Sequence, residues 1–232
     1  TAEHILAAFA GLGIHNALIE LSEAEVPILD GSARPFVKAI LEAGVFELAK
    51  KINLYQVVKS IRVGNADAWA ELRPARSFSI DFEMHWPGTA LGKQSLDIPI
   101  VNGAFVREIC DSRTFCRKGD VVRLKHEGFA LGGGIENAIL VGKDEMTASN
   151  GLRYADECVR HKILDALGDL SLVGRPILGK FVSFSGGHGL TNMLLRESFK
   201  RGDIFVSKEF SDEDRDKLPG FDISNADIKN LL

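Results

Sequence analysis

The sequence predicts an α+β fold, in which a run of consecutive strands is flanked by helices. Strand-like segments follow one another between residues 55 and 101, and the segment 77–86 alternates strictly, with an apolar residue at every second position. A longer segment, 154–170, instead has the spacing of a helix. Consecutive strands beside long helices are typical of sheets layered against helices.

The first 50 residues are predicted to form two helices and one strand. Gly11, Gly13 and Gly44 mark helix ends, and Ser32 is a candidate N-cap because its hydroxyl can accept a backbone hydrogen bond. The predicted elements, which lie between turn residues, are a helix over 2–10, a strand over 17–21, a turn over 27–32 and a helix over 32–42. The lysines at 50 and 51 mark the predicted domain boundary.

The rest of the chain is predicted to contain most of the strands and the longest helix. In order, the predicted elements are strands over 55–63, 69–72, 77–86 and 96–101, a short helix over 105–110, a strand over 138–141, a helix over 154–170, a strand over 179–184 and a helix over 190–199. Residues 201–232 carry eight acidic and five basic side chains, so we expect a solvated, mobile tail or linker.

Composition places the chain among ordinary soluble globular proteins and excludes several classes of partner. Its 232 residues are 45% hydrophobic and carry a net charge of −4. Nonspecific nucleic-acid binding needs a basic surface, so nucleic acid is not an expected partner. No apolar run reaches the length of a transmembrane helix, so no transmembrane segment is expected. Three cysteines without a C-x-x-C pair indicate reduced thiols and a cytoplasmic location.

Two residues of the long predicted helix have the spacing of metal ligands. His161 and Asp165 are four positions apart, so their side chains lie one turn apart on the same helix face. An imidazole and a carboxylate are ligands that zinc accepts. The alternative is a structural hydrogen bond between the two side chains, which is common on helices. The spacing alone favours this structural alternative.

Glu3 and His4 supply what the long helix lacks for a catalytic metal site. A catalytic zinc usually has three protein ligands, and His4 can be the third. Its neighbour Glu3 can act as a general base. The alternative is that Glu3 only offsets the dipole of the helix that begins beside it. His188 lies in a glycine-rich segment with room for a substrate, or it is a turn or capping histidine.

Five motifs in this order resemble the UDP-3-O-acyl-N-acetylglucosamine deacetylases of lipid A biosynthesis. The motifs are Thr1-Ala2-Glu3-His4, Ile28-Leu29-Asp30-Gly31-Ser32-Ala33, Ser112-Arg113-Thr114-Phe115, the segment from Arg160 to Asp169, and Gly187-His188. The resemblance extends from residue 1 to about 200. It implies two similar α+β domains, each a sheet layered against helices, with a metal between them.

The resemblance also assigns the catalytic roles. It implies that His4, His161 and Asp165 bind Zn²⁺ and that Glu3 is the general base. The remaining catalytic residues that it implies are His188 as the general acid, Asp169 as the group that keeps His188 charged, and Thr114 as a hydroxyl donor to the oxyanion. The implied reaction is hydrolysis of the N-acetyl group of UDP-3-O-acyl-N-acetylglucosamine, which gives acetate and a free amine.

Substrate contacts are likewise implied by the resemblance. Lys162 would meet the diphosphate, and Phe115 and Trp86 would contact the sugar or the base. The segment 116–138 would form an apolar passage for the acyl chain, with three candidate lining residues: Val121, Ala130 and Ile135. The alternative function is a non-catalytic remnant that binds zinc or a nucleotide sugar.

Family members carry further sequence before the Glu-His motif, so the first domain is expected to be incomplete. By this interpretation, residues 1–50 are the C-terminal part of the first domain and residues 51–200 form the second. Only the strand predicted over 17–21 is available to cover the apolar residues of the first two helices. We therefore expect residues 5–41 to be loose, or to be completed by a separate N-terminal segment of the same protein.

Overall fold

The computed structural model describes residues 1–121, 134–224 and 226–227 and confirms the α+β class. The helices of the described residues are α1 (Ala2–Gly11), α2 (Arg34–Ala43), α3 (Glu157–Ser171) and α4 (His188–Arg201). The strands are β1 (Asn53–Val57), β2 (Ile61–Gly64), β3 (Trp69–Arg73), β4 (Ser79–Trp86), β5 (Gly92–Pro99), β6 (Phe115–Arg117), β7 (Ile139–Val141), β8 (Met146–Thr147), β9 (Ile177–Leu178), β10 (Lys180–Phe184) and β11 (Phe205–Glu209).

The largest sheet has five strands in the order β2-β3-β10-β4-β5. Strand β4 runs parallel to β10 and antiparallel to β5. The alternation predicted for this strand is confirmed, because Ile80, Phe82 and Met84 are buried on the face toward the core. Its last residue, Trp86, is only partly buried.

Two smaller sheets complete the fold, with orders β11-β1-β9 and β6-β7-β8. The single strand predicted over 55–63 is wrong, because β1 and β2 belong to different sheets. The chain changes direction between them, where the Val58 amide donates to the Ile204 carbonyl. The short helix predicted over 105–110 is a π-helical turn, Phe105–Ile109, whose first side chain packs on Gly11 of α1.

Helix α1 packs along α3, and this contact places the backbone of Glu3 against Gly168 of α3. Ala7 and Ala8 are fully buried. Gly168 allows the two backbones to approach, since a Cβ atom there would lie 2.1 Å from the Glu3 carbonyl oxygen. Helix α3 therefore covers one face of α1, whereas the sequence analysis expected the strand over 17–21 to cover it.

Gly168→Ala is expected to push α1 away from α3. The added methyl group meets backbone, which cannot move aside, so we expect a loss of roughly 1–3 kcal/mol of stability. Thermal unfolding measures it. Gly189→Ala is the matched control, because Gly189 is also helical but has no neighbouring atom within 4 Å of an added Cβ, among the residues described. That control should be neutral or stabilising, and equal stability of the two variants would contradict this packing.

The segment 17–21 is irregular and exposed, so the strand predicted there is wrong. Leu18 is 84% exposed and Phe46, beyond α2, is 88% exposed. In α2 itself only Val37 is fully buried. The expectation that a separate segment completes this region stays a prediction, as does the division into domains at residue 50.

Residues 204–218 are part of the fold, so the solvated tail predicted over 201–232 is wrong for them. Strand β11 pairs along its whole length with β1. A 3-10 helix, Asp212–Lys217, follows, and its Asp214 is completely buried with hydrogen bonds from Lys208 and Ser211. The charge pattern suggested a tail because it does not reveal that Asp214 is buried between Lys208 and Lys217. Among the described residues, no helix is both long and apolar enough to cross a membrane.

Candidate active site

The two ligand candidates of α3 lie beside the candidate from α1. His4, His161 and Asp165 are buried, and each offers one ligand atom within 4.8 Å of the others. Asp165 Oδ1 lies 3.2 Å from His161 Nε2 and 3.8 Å from His4 Nε2. The spacing along α3 places His161 and Asp165 together, and the packing of α1 on α3 brings His4 beside them.

Hydrogen bonding shows that this cluster fits a divalent cation. His161 Nδ1 lies 2.9 Å from the Ser112 carbonyl, which can only accept, so Nδ1 carries a proton and Nε2 faces Asp165. Within the described part of the chain, His4 Nδ1 and Asp165 Oδ1 are buried without a hydrogen-bond partner. Unpaired buried polar atoms are costly. Asp165 Oδ1 faces the Nε2 atoms of both histidines, so a cation held there would pair with this carboxylate oxygen, and two imidazoles with one carboxylate are ligands that suit zinc.

The protonation states of the cluster favour metal binding as well. Burial lowers the pKa of His4 to about 4, with a further contribution from His161, so its imidazole is neutral near pH 7. Burial raises the pKa of Asp165, but Lys162 and His161 outweigh burial and hold it well below its usual value. A neutral imidazole and an ionised carboxylate are the forms that bind a metal.

An acid and a base candidate stand beside the cluster. His188 is the first residue of α4, and its Nδ1 lies 2.9 Å and 3.0 Å from the two carboxylate oxygens of Asp169. Its Nε2 lies 4.0 Å from Glu3 Oε1. The hydrogen bond to Asp169 raises the pKa of His188, although burial opposes this shift. Asp169 therefore favours the protonated imidazolium form of His188, and the carboxyl group of Glu3 is its neighbour on the other side of the ring.

A cavity of about 280 Å³ opens over these groups. It is lined by Phe82, Met84, Trp86, Thr114, Phe115, His161, Lys162, Asp165, Ser185, Gly186 and His188. Trp86 and Phe115 form one wall, with ring centroids 5.3 Å apart, and Phe115 also meets the His161 ring edge-on at 6.2 Å. The structure thus brings predicted catalytic and sugar-binding candidates to a single cavity.

Lys162 lines the cavity, but its ammonium group already has a partner. Its Nζ donates to Asp165 Oδ2 at 2.9 Å. Burial lowers the pKa of Lys162, while the charge of Asp165 raises it more, so the side chain remains a cation. The contact with a substrate diphosphate that was predicted for Lys162 stays a prediction.

Comparison with known proteins identifies the family. A family model described as LpxC, UDP-3-O-acyl N-acetylglycosamine deacetylase, matches residues 1–200. The chain belongs to this family. A relative from Psychrobacter cryohalolentis is 42% identical over 214 residues, 91% of this chain and 67% of the relative. A relative from Histophilus somni is 40% identical over 230 residues, 98% of this chain and 75% of the relative. Both are named UDP-3-O-acyl-N-acetylglucosamine deacetylase, so the family is one of hydrolases.

Of the three residues predicted to line an acyl passage in this LpxC family member, the two that the structure describes do not line the cavity. Val121 is half-buried after the short 3-10 turn Lys118–Asp120, and Ile135 is 41% exposed. Neither is among the lining residues above. Ala130 lies outside the described residues. The passage stays a prediction.

Three residues around the LpxC site were given no role by the sequence analysis: Ser112, Arg113 and Glu157. Ser112 orients His161 through its carbonyl, and Arg113 forms a buried ion pair with Glu157. A signal for Glu157 was present, because it lies four positions before His161, as His161 does before Asp165. Ser112 and Arg113 belong to one of the family motifs, but that motif does not indicate their partners, since their contacts join segments far apart in the chain.

Proposed function

We propose that this chain is a zinc-dependent deacetylase that hydrolyses the N-acetyl group of UDP-3-O-acyl-N-acetylglucosamine in lipid A biosynthesis. The observation that supports it best is the buried cluster of His4, His161 and Asp165, in which polar atoms lack partners beside an acid and a base candidate. Membership of a deacetylase family supports the same substrate. The products would be acetate and a free glucosamine amine.

His4, His161 and Asp165 would hold the metal. When bound, zinc supplies a Lewis acid that polarises the acetyl carbonyl. Glu3 would take a proton from the attacking water, since its carboxylate lies within 4.8 Å of ligand atoms of Asp165 and His188. His188 would donate its proton to the departing amine nitrogen, so that the amide bond breaks without expelling an unstable anion.

Other side chains would bind and orient the substrate. The Thr114 hydroxyl would donate to the oxygen that becomes negatively charged. Phe115 and Trp86 offer a stacking wall for the sugar or the base, and Lys162 offers a cation near the diphosphate. We further propose a cytoplasmic location, which is supported by three unpaired thiols at Cys110, Cys116 and Cys158.

Metal analysis combined with an acetate-release assay tests this function. One zinc per chain and acetate release from UDP-3-O-acyl-N-acetylglucosamine are expected. UDP-N-acetylglucosamine without the acyl chain is the control substrate and should be hydrolysed more slowly, because it lacks the binding energy of the acyl group. Zinc binding without acetate release would instead favour a non-catalytic, metal-binding remnant.

Asp169→Asn is expected to shift the basic limb of the pH profile of kcat/KM to lower pH. Asp169 and Asp165 favour the protonated form of His188, while burial and Lys162 oppose it. Removing the largest favourable contribution lowers the pKa of His188, so the acid is lost at a lower pH. Asp97→Asn removes an exposed carboxylate bonded to Lys180 and serves as the control. An unshifted basic limb in Asp169→Asn would contradict the role of this pair.

A further inference from the structure

The loop that precedes β6 carries two candidate functional groups, one on each side of a buried arginine in the chain. The Ser112 carbonyl accepts the hydrogen bond from His161 Nδ1 at 2.9 Å, and the Thr114 side chain lines the cavity. Arg113, which lies between these two residues in the chain, is buried with 2% exposure. The position of this loop therefore sets both the orientation of a metal ligand and the location of the oxyanion donor.

The guanidinium of Arg113 is held by four neighbouring acceptors. Its Nε lies 2.8 Å from one carboxylate oxygen of Glu157, and one terminal nitrogen lies 3.1 Å from the other. The terminal nitrogens also donate to the carbonyls of Ser149 at 3.0 Å and Gly151 at 2.7 Å. A flat donor group bonded in so many directions has one orientation only.

Glu157 also accepts several hydrogen bonds in and near this loop. Besides the guanidinium, it accepts the backbone amides of Arg113 at 3.0 Å and Arg153 at 2.7 Å. Its side chain is fully buried. Burial raises the pKa of Glu157, but the bonds from Arg113 outweigh burial and keep the pKa below its usual value. Buried ion pairs are weak contributors to stability compared with apolar packing, and their best-attested use is to fix one arrangement.

Helix α3 forms hydrogen bonds to the loop from two successive helical turns. Glu157 and His161 are four positions apart on the same face, and they bond the adjacent residues Arg113 and Ser112. Asp165 follows one turn later. The ion pair consequently fixes the register of the loop against the helix that carries two of the candidate ligands.

We propose that the Arg113–Glu157 ion pair positions the metal ligand His161 and the Thr114 hydroxyl, acting through the loop 112–114. The role of Thr114 and the metal rest on the proposed function, whereas the orientation of His161 can be tested in metal-free protein. Arg113 and Glu157 are positioning residues: neither lines the cavity as described above.

Glu157→Gln and Arg113→Lys test the proposal. Glu157→Gln removes the charge at nearly constant volume. Arg113→Lys keeps both charges, and so protects folding, but cannot donate in several fixed directions. For both variants we expect zinc affinity, measured by competition with a chromogenic chelator, to fall about 10–100-fold, the range typical of groups that orient ligands. On zinc-saturated enzyme, kcat should fall while KM stays close to its original value.

Nuclear magnetic resonance of the His161 ring gives a readout that does not depend on metal or activity. In metal-free protein, the Nδ1 proton bonded to Ser112 is expected to exchange slowly with solvent. In both variants this proton should exchange faster. If the original chain binds no zinc, the proposed function fails, and this measurement alone decides the positioning role.

Asp214→Asn is the matched control. Asp214 is also a fully buried, ion-paired carboxylate, but its partners Lys208, Ser211 and Lys217 all lie after β10. It should lower thermal stability and leave zinc affinity and His161 exchange unchanged. The proposal is overturned if folded Arg113→Lys keeps the original zinc affinity and His161 exchange rate, whether or not Glu157→Gln folds.

Discussion

Asp165→Ala is expected to abolish stoichiometric zinc binding and to lower acetate release at least about a hundredfold. This loss exceeds the one typical of residues that only orient a metal ligand. Asp165 supplies the negative ligand of the proposed site, and its Oδ1 lies between the imidazoles of His161 and His4, 3.2 Å and 3.8 Å away. Two neutral imidazoles alone fall short of the three protein ligands usual for a catalytic zinc. Metal content per chain and initial rate are the measurements.

Stability must be separated from metal binding in that experiment. Removing the carboxylate leaves the partly buried ammonium of Lys162 without its hydrogen-bond partner, which is destabilising. Asp165→Asn, which keeps the shape of the side chain, is therefore measured alongside. Asp214→Ala is the matched control, because Asp214 is likewise buried and paired with a lysine three positions away. Full zinc content in folded Asp165→Asn and Asp165→Ala would refute the ligand assignment.

Glu3→Gln and His188→Ala are each expected to lower kcat about a hundredfold or more while zinc content stays at one per chain. Glu3 Oε1 and His188 Nε2 are 4.0 Å apart, so the two groups can serve one reacting centre from neighbouring positions. Glutamine cannot take a proton from water, and alanine cannot donate one to the amine. Neither residue belongs to the proposed ligand set, so metal should remain.

Steady-state kinetics on zinc-saturated protein measure these losses. His15→Gln is the control, because His15 lines a separate apolar cavity beside α1. It should leave kcat within about twofold of the original, as expected for a residue outside the proposed chemistry. Rates near the original in either Glu3→Gln or His188→Ala would remove that residue from the mechanism, and zinc loss would reassign it to the metal site.

The sequence by itself determined those features that depend on local geometry. The four-residue spacing of His161 and Asp165 places both on one face of any helix that contains them. The alternation over 77–86 likewise selects the buried face of β4. The ordered motifs indicated the family, which the comparisons confirm. In the first two cases neighbours in the chain are also neighbours in space.

Tertiary structure alone decided the features that join distant segments. The chain carries no local signal that α1 rests on α3 through Gly168, that Glu157 holds Arg113, or that 205–209 pairs with β1. The charge-rich segment after residue 200 resembles a tail until its partners are known. The spacing of residues along a helix or strand determines which face each side chain occupies. Which distant segment packs against that face depends on the free energy of the whole fold.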